Sequence, residues 1–263
     1  SIEISLPELI SKELISSKII LIVEKDSSIE LLQVIEGYES SSHSHLIDIF
    51  IEENGKVNHN IIAIGKVFSK LLATISVRQQ KDSIYSLNSF QEGWYFSRLE
   101  QHITQLKGHA ETHLKGLQIS QGKEELATHS FVNFHGPGGS LDQINKSIAK
   151  QESHSIFKGL INVPEIAQQT KASQLSKNLL LSSKAKIDSS PQLKITADDV
   201  QCNHGATISQ LDEEEVFYLQ SRGIDREEAN SLILNGFCKD IIDSIPFNIK
   251  KWIHLSQYLN IPN

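Results

Sequence analysis

The chain has 263 residues, 39% of them hydrophobic and 22% charged, with a formal net charge of −7. This is globular composition with enough apolar content for a sizeable core, and the acidic balance lacks the footprint of a nucleic-acid binder. The longest wholly aliphatic run, Ile19–Val23, is too short to cross a bilayer, and no charged-then-apolar signal is read at the start. The two cysteines, Cys202 and Cys238, exclude a disulfide-rich secreted scaffold and favour a reducing compartment. A start at Ser1 and the lack of methionine are what a piece of a longer protein is expected to show.

In chain order, the first dozen residues are compatible with a short helix. From Lys18 the pattern turns to β: Ile19–Val23, a polar turn at Glu24–Ser28, Ile29–Ile35, then Gly37. Leu46–Ile51 alternates loosely, Glu53-Asn54-Gly55-Lys56 follows, and Val57–Ile64 resumes the apolar run. Asn-Gly between two β-type runs predicts a hairpin. Short strands and turns continue to about Ile208, with Trp94, Tyr95 and Phe96 expected in or beside the sheets as core rather than site. Apolar residues recur at a spacing of roughly 20: Leu160 with Leu180, Leu179 with Val200, Ile187 with Ile208. Such a recurrence suits the rungs of a parallel β-helix, while the strand lengths fit a β-sandwich equally well.

After Gln210 the signals become helical. Asp212 with Glu215 three residues on is a capping-box-like start, and Gly223 supplies a stop. Asp225 with Glu228 repeats the start. Ala229, Leu232, Ile233, Gly236, Phe237 and Ile241 then lie at helical spacing until Pro246, which ends or kinks the helix. Lys250–Leu259 predicts a further amphipathic turn or two. The chain therefore divides into a β-rich body, 1–209, and a helical C-terminal domain, 210–263.

The glycine-rich spots do not suit phosphate. Gly65-Lys66 and Gly122-Lys123 lack the spacing that lets backbone amides cradle it, and Gly136-Pro137-Gly138-Gly139 reads as a turn. The chain is not expected to bind ATP itself. Among eleven histidines, His43 and His45 would share one face of a strand, but the serines around them favour a solvated loop. His129 and His135 flank Phe131-Val132-Asn133-Phe134 and read as structural. Cys202-Asn203-His204-Gly205 differs: on an extended segment the thiol and the imidazole project from the same side, a soft pair suited to iron. The competing reading is a packed cysteine beside a turn. An all-cysteine cluster needs four thiolates, so any cluster here must be shared, use other ligands, or be transient.

The region from Thr170 to Gly223 resembles the SufB/SufD family of the SUF iron–sulfur cluster assembly system. The strings that carry the resemblance are Ser176-Lys177-Asn178-Leu179-Leu180-Leu181-Ser182, Ile187-Asp188-Ser189-Ser190-Pro191-Gln192-Leu193, Ala197-Asp198-Asp199-Val200 and Cys202-Asn203-His204-Gly205-Ala206-Thr207. Gln210-Leu211-Asp212-Glu213-Glu214 and Phe217-Tyr218-Leu219-Gln220-Ser221-Arg222-Gly223 then follow in order. It is clearest from about His129 to Gly236. Serine at 176, where SufB-like chains carry a cysteine, and Cys202-Asn203-His204-Gly205 in place of an acidic-His-acidic string favour the SufD side.

The resemblance implies a mainly β fold: a right-handed parallel β-helix (solenoid) followed by a small α-helical domain, without the helical N-terminal region usual in the family. It implies a non-catalytic scaffold subunit pairing with a SufB-like subunit through the C-terminal strands, with a homodimer possible in isolation. The matching interface residues are Cys202 and His204, with His204 as metal ligand to a transient iron–sulfur cluster shared between subunits. It further implies that a SufC-like ATPase, the only ATP binder, docks on Glu215, Phe217, Leu219, Arg222, Leu232 and Phe237. No nucleic acid or membrane is expected, and the setting is cytoplasmic, or plastid stroma in a eukaryote. The rival readings are a SufB-like or homodimeric cluster scaffold, a β-helix carbohydrate-active enzyme or acyltransferase using acids such as Asp188, Asp198 and Asp199, and a plain adaptor.

Overall fold

The computed structural model of the chain describes residues 2–5 and 14–246. The strands are β1 (Ile2–Ser5), β2 (Leu14–Val23), β3 (Ser28–Glu36), β4 (Ser42–Ile51), β5 (Lys56–Ile64), β6 (Lys70–Gln79), β7 (Ile84–Glu92) and β8 (Phe96–Gln105). They continue as β9 (Glu111–Ser120), β10 (Glu125–Phe134), β11 (Ser140–Ala149), β12 (His154–Val163), β13 (Lys171–Leu180), β14 (Lys186–Ile195) and β15 (Gln201–Ser209). Two helices follow, α1 (Glu213–Ser221) and α2 (Arg226–Ile242). Odd-numbered strands form an eight-stranded sheet and even-numbered strands a seven-stranded one. Every strand pair is parallel. The chain winds as a flattened parallel β-solenoid, each coil giving one strand to each sheet.

The sandwich alternative is thereby resolved: two sheets face each other, but successive strands alternate between them. For the same reason Asn54-Gly55 is not a hairpin. It joins β4 to β5, which lie in different sheets. Asn54 takes the left-handed conformation (φ 57°), its N–H bonds the Lys81 carbonyl one coil on, and its side-chain amide donates to Asp26 Oδ1 one coil back. Left-handed residues recur at this corner, at Asp26, Asn54, Asp82, His109, Gly138 and Gln169. Gly136-Pro137-Gly138-Gly139 is, as expected, one of these turns.

The coil is longer than the roughly 20 residues the apolar pairs suggest. Ser17 bonds His45 at a separation of 28, while β6 and β8 align Lys70 with Phe96 and β12 and β14 align His154 with Lys186. None of the three expected pairs stacks: Leu160 lies between Phe131 and Gln192, Leu179 between Ile148 and Ser209, and Ile187 beside Ser155. Two strands of about ten residues and two turns cannot fit a shorter repeat. The N-terminal helix expectation also fails where it can be followed, because Ile2–Ser5 pairs as a strand with β3. Residues 6–13 and the helical turn expected at Lys250–Leu259 lie outside the described residues.

The interior between the sheets is filled by Ile47, Ile49, Ile51, Ile75, Val77 and Ile103 from one side and Leu31, Val57, Tyr85, Leu87 and Leu114 from the other. Trp94 is fully buried, whereas Tyr95 is 43% exposed and Phe96 is half-buried. The eight-stranded sheet is covered on its outer face too. Leu234, Cys238, Ile241 and Ile245 of the helical segment pack on Leu32, Val34, Ile62, Phe90, Leu117, Ile119, Ile148 and Leu179. Burial on both faces explains why Leu31–Ile35 and 59–63 are buried without alternation.

Both helix starts are as read. Asp212 accepts from the Glu214 N–H and Asp225 from the Glu228 N–H, and Gly223 takes φ 89° between the helices. α2 stops at Ile242, ahead of Pro246.

His43 and His45 correct the sequence reading. They sit on the inner face of β4 with 3% and 4% exposure, not in a solvated loop. The serines are small enough to continue a strand and supply partners: His43 Nε2 pairs with Ser41 Oγ at 3.0 Å and His45 Nδ1 with Ser17 Oγ at 2.8 Å. Burial lowers the pKa of both, that of His45 to about 4 with His43 adding repulsion, and lowers His59, which bonds Tyr85, to about 3. The unfolded chain takes up these protons below about pH 6.5 and the folded chain does not, so stability is full above that pH and falls as pH drops towards 4 and 3. For His45 and His59 the limiting slope is about 1.4 kcal/mol per pH unit each. Glu92 and Glu124, whose carboxyl pKa values burial raises to about 9 and about 7, slope the opposite way between pH 6.5 and 5. The histidine part is therefore read as a difference: in urea melts over that window, His59→Gln should lose less stability on acidification than the wild-type chain. A second prediction concerns packing: Trp94→Ala should cost about 3–5 kcal/mol in the same melts.

Candidate functional site at the open end of the solenoid

Among the described residues no further coil follows the last one: β15 pairs only with β13, and β14 only with β12. Each therefore presents an unpaired backbone edge, and side chains aimed into the lumen lack the next layer. Ile208 is 48% exposed and Ile195 37%, although equivalent positions in earlier coils are buried. Pro191 is tolerated in β14 because an edge strand need not donate along its free side.

Cys202 and His204 lie on this edge, two residues apart, and project to the lumen side. Cys202, opposite Ala172, packs half-buried against the interior cluster, whereas His204, opposite Gln174, is exposed. Burial raises the Cys202 thiol pKa, opposed by a backbone hydrogen bond at Ala172. Asn203 points the other way and accepts from Ser173 Oγ at 2.9 Å.

Below His204 the lumen turns polar, a feature the sequence reading missed. Gln174 donates to Gln143 Oε1 (2.8 Å), while Ser176 accepts from Ser189 (2.9 Å) and from Asn178 (3.0 Å). Gly159 makes this possible, since a Cβ there would lie 2.3 Å from Gln174 Nε2. Ser176, directly beneath Ala206, is buried and hydrogen-bonded. The signal for this layer is a run of Gln, Asn and Ser at alternate positions, 143, 145 and 147 followed by 174, 176 and 178.

Cys238 does not join the site. It lies on α2 against the outer face of the eight-stranded sheet, on the opposite side from Cys202, with its thiol pushed up to about 12 chiefly by burial. Among the described residues no three His, Cys, Asp or Glu side chains gather to hold a metal ion. The acids required by the enzyme rival do not converge either. Exposed Asp188 accepts from half-buried His154 (2.8 Å), and Asp199 sits in a turn, its N–H bonded to Gln168 and its carbonyl to the Gln169 N–H. His129 is buried on an outer face near Glu100, and His135 is an exposed turn residue.

The helical hairpin exposes a second surface. Phe217 is 72% exposed, Tyr218 58% and Leu232 45%, with Glu215 and Arg222 also exposed. Leu219, half-buried, lines a depression of about 430 Å³ with Asp212, Glu214, Glu215, Tyr218 and Ile233. Phe237 is placed differently: half-buried, it packs with the cluster beneath α2.

Residues 9–237 match the family described as SUF system FeS cluster assembly, SufBD core domain. The chain belongs to the SufB/SufD family. Among similar proteins, an iron–sulfur cluster assembly SufBD family protein of Synechocystis is 40% identical over 201 residues, covering 76% of this chain and 44% of that protein. The chloroplastic protein ABCI7 of Arabidopsis thaliana is 30% identical over 233 residues, 87% of this chain and 49% of its own length. SufD of Escherichia coli is 28% identical over 228 residues, covering 81% and 54%. The SufB/SufD chain is thus SufD-like, and it spans about half the length of these relatives. Among its described residues no helix is long and apolar enough to cross a membrane.

The two thiols should differ in reactivity. At pH 7.5 Cys202 of the isolated chain should alkylate with iodoacetamide more slowly than a free thiol, its rate climbing as the pH is raised. Cys238 should react only after denaturation. Mass spectrometry of the two peptides reads both, and fast labelling of Cys238 in the folded chain would contradict its packing.

Proposed function

We propose that this chain is the SufD-like scaffold subunit of a SufB–SufC–SufD-type complex that builds iron–sulfur clusters. The observation that carries the reading is the open last coil, where an unpaired strand edge coincides with Cys202 and His204. An exposed strand edge is a template for another chain. A SufB-like solenoid meeting it end to end would satisfy the edge and cover Ile195 and Ile208. The two side chains would then face residues of the partner.

Cys202 and His204 supply two donors at most, so the cluster is cargo held between subunits and completed by partner ligands. His204 is the contribution of this chain as iron ligand. Cys202 is a neutral thiol while buried, and becomes a ligand or sulfur carrier only if metal or a rearranged interface favours its thiolate. The chain is non-catalytic in this role. ATP is bound and hydrolysed by a SufC-like ATPase docked on Glu215, Phe217, Leu219, Arg222 and Leu232, with Phe237 supporting that surface from beneath. The setting is cytoplasm or, by analogy with the chloroplastic relative, plastid stroma.

The test is co-expression with SufB- and SufC-type partners and anaerobic purification of wild type and His204→Ala. The expected result is an intact complex that loses most of its bound iron and sulfide in the variant. Unchanged iron in an intact variant complex would reduce the chain to an adaptor. A wild-type chain that binds neither partner, or pairs only with itself, would overturn the reading.

A further inference from the structure

Lys146 lies in β11 on the outer face of the eight-stranded sheet, with only 5% of its side chain exposed. A lysine is almost never buried unless its charge is matched. Here Nζ donates to the Phe237 carbonyl and to Asp240 Oδ1, and lies 4.9 Å over the Phe237 ring. All three partner groups belong to α2. Around them the helix–sheet contact is apolar, with Leu234, Cys238 and Ile241 against Phe90, Ile119 and Ile148. Apolar contact is non-directional: it holds a helix down without fixing its position along the sheet. A further directional contact lies at the far end, where Ser244 Oγ donates to Asn88 Oδ1 at 2.8 Å and Asn88 donates to the Ser244 carbonyl at 3.3 Å. By contrast α1 buries a single side chain, Val216, and is tied to α2 by the exposed Arg226–Glu213 pair.

We propose that Lys146 is a positioning residue whose ammonium pins α2 to the solenoid, so that the helical hairpin and the eight-stranded sheet move as one body. The bearing of the pin on cluster assembly rests on the reading above, in which the hairpin carries the ATPase. A pull on the hairpin enters β11, passes to the adjacent β13, and reaches the edge strand β15 that bears Cys202 and His204.

The test is a double-mutant cycle read by hydrogen exchange on the full chain. Asp240→Ala removes the carboxylate paired with the buried ammonium, leaving it only the neutral Phe237 carbonyl and ring. It should speed exchange of the α2 amides about tenfold, leaving β7 and β9 protected. In a Lys146→Met background, where no charge is left to strand, Asp240→Ala should have no further effect. Unchanged α2 exchange in Asp240→Ala, or equal acceleration in both backgrounds, overturns the pin. Should Asp240→Ala fail to fold, Asp240→Asn runs the same cycle. A second arm uses the complex with SufB- and SufC-type partners, reading the ATP-dependent change in Cys202 alkylation. Lys146→Met should keep the ATPase bound and lose that change; if the change persists, the pin does not couple the two ends. Failure of the wild-type chain to bind the ATPase sinks the functional reading, whereas the exchange cycle still decides the pin.

Discussion

In-register parallel stacking is the constraint on which the rest of the molecule depends. Each strand bonds to strands two elements away, so no coil can satisfy its backbone alone. This fixes the corners, because a turn that climbs one strand spacing must reverse in a few residues without drifting out of register. Left-handed residues at Asp26, Asn54, Asp82 and His109 do this, and the N–H groups of Asp26, Asn54 and His109, with the Asn54–Asp26 side-chain bond, tie one coil to the next. It also explains close backbone approaches such as Gly65 against Gly93, where a Cβ on either residue would sit 2.6 Å from a carbonyl oxygen of the other.

Stacking supplies neighbours everywhere except at an end, and the C-terminal end is where chemistry becomes available. Through the first coils the lumen is dominated by Ile, Leu and Val, which pack without partners. Further on, Gln174 bonds Gln143 along the eight-stranded sheet, Asn178 bonds Ser176 within β13, and Ser189 reaches Ser176 from the opposite sheet. A polar interior is harder to satisfy than an apolar one, and each unmatched group costs about 1–3 kcal/mol. Polar groups recur in the middle coils, where Gln91 donates to Gln118 and Thr128; what sets the last coil apart is that His204, above such a layer, is exposed. The eight-stranded sheet is then closed on its other face by α2, which leaves the edge of β15 and the exposed face of the hairpin as separate surfaces for separate contacts.

How much of this could be read from the chain divides along the range of the interactions. Helix starts are local: Asp212 and Asp225 cap through their own next turn, so their positions were legible residue by residue. The coil length is not local. The apolar pairs at roughly 20 residues arose from sheer abundance of Ile and Leu. The true repeat was carried by the corner residues Asp26, Asn54 and Asp82, whose spacing equals the coil but whose chemistry resembles that of any turn. Asn54-Gly55 misled for the same reason, since a turn between strands of one sheet and a turn between two sheets draw on the same residues. His43 and His45 were misplaced because serine neighbours suggest solvent, while inside a lumen they are the small partners that satisfy an imidazole. Cys202 and His204 were visible as a pair on one strand face. That the strand is an unpaired edge could come only from the resemblance or from the folded coil.

The arrangement of charge beneath α2 shows why the two surfaces need not act independently. Apolar burial between α2 and the sheet would stabilise many nearby placements of the helix, because it scales with area and not with direction. A single buried ammonium is different: moving α2 by a turn would strip Lys146 of Phe237 and Asp240 together and leave an unmatched charge in a low-dielectric layer, at a cost of several kcal/mol. The apolar contacts thus set how strongly the helix is held, and Lys146 sets where. A scaffold that must convey motion from a helical hairpin to a strand edge needs the second property more than the first, since a helix free to slide would absorb the motion before it reached β15.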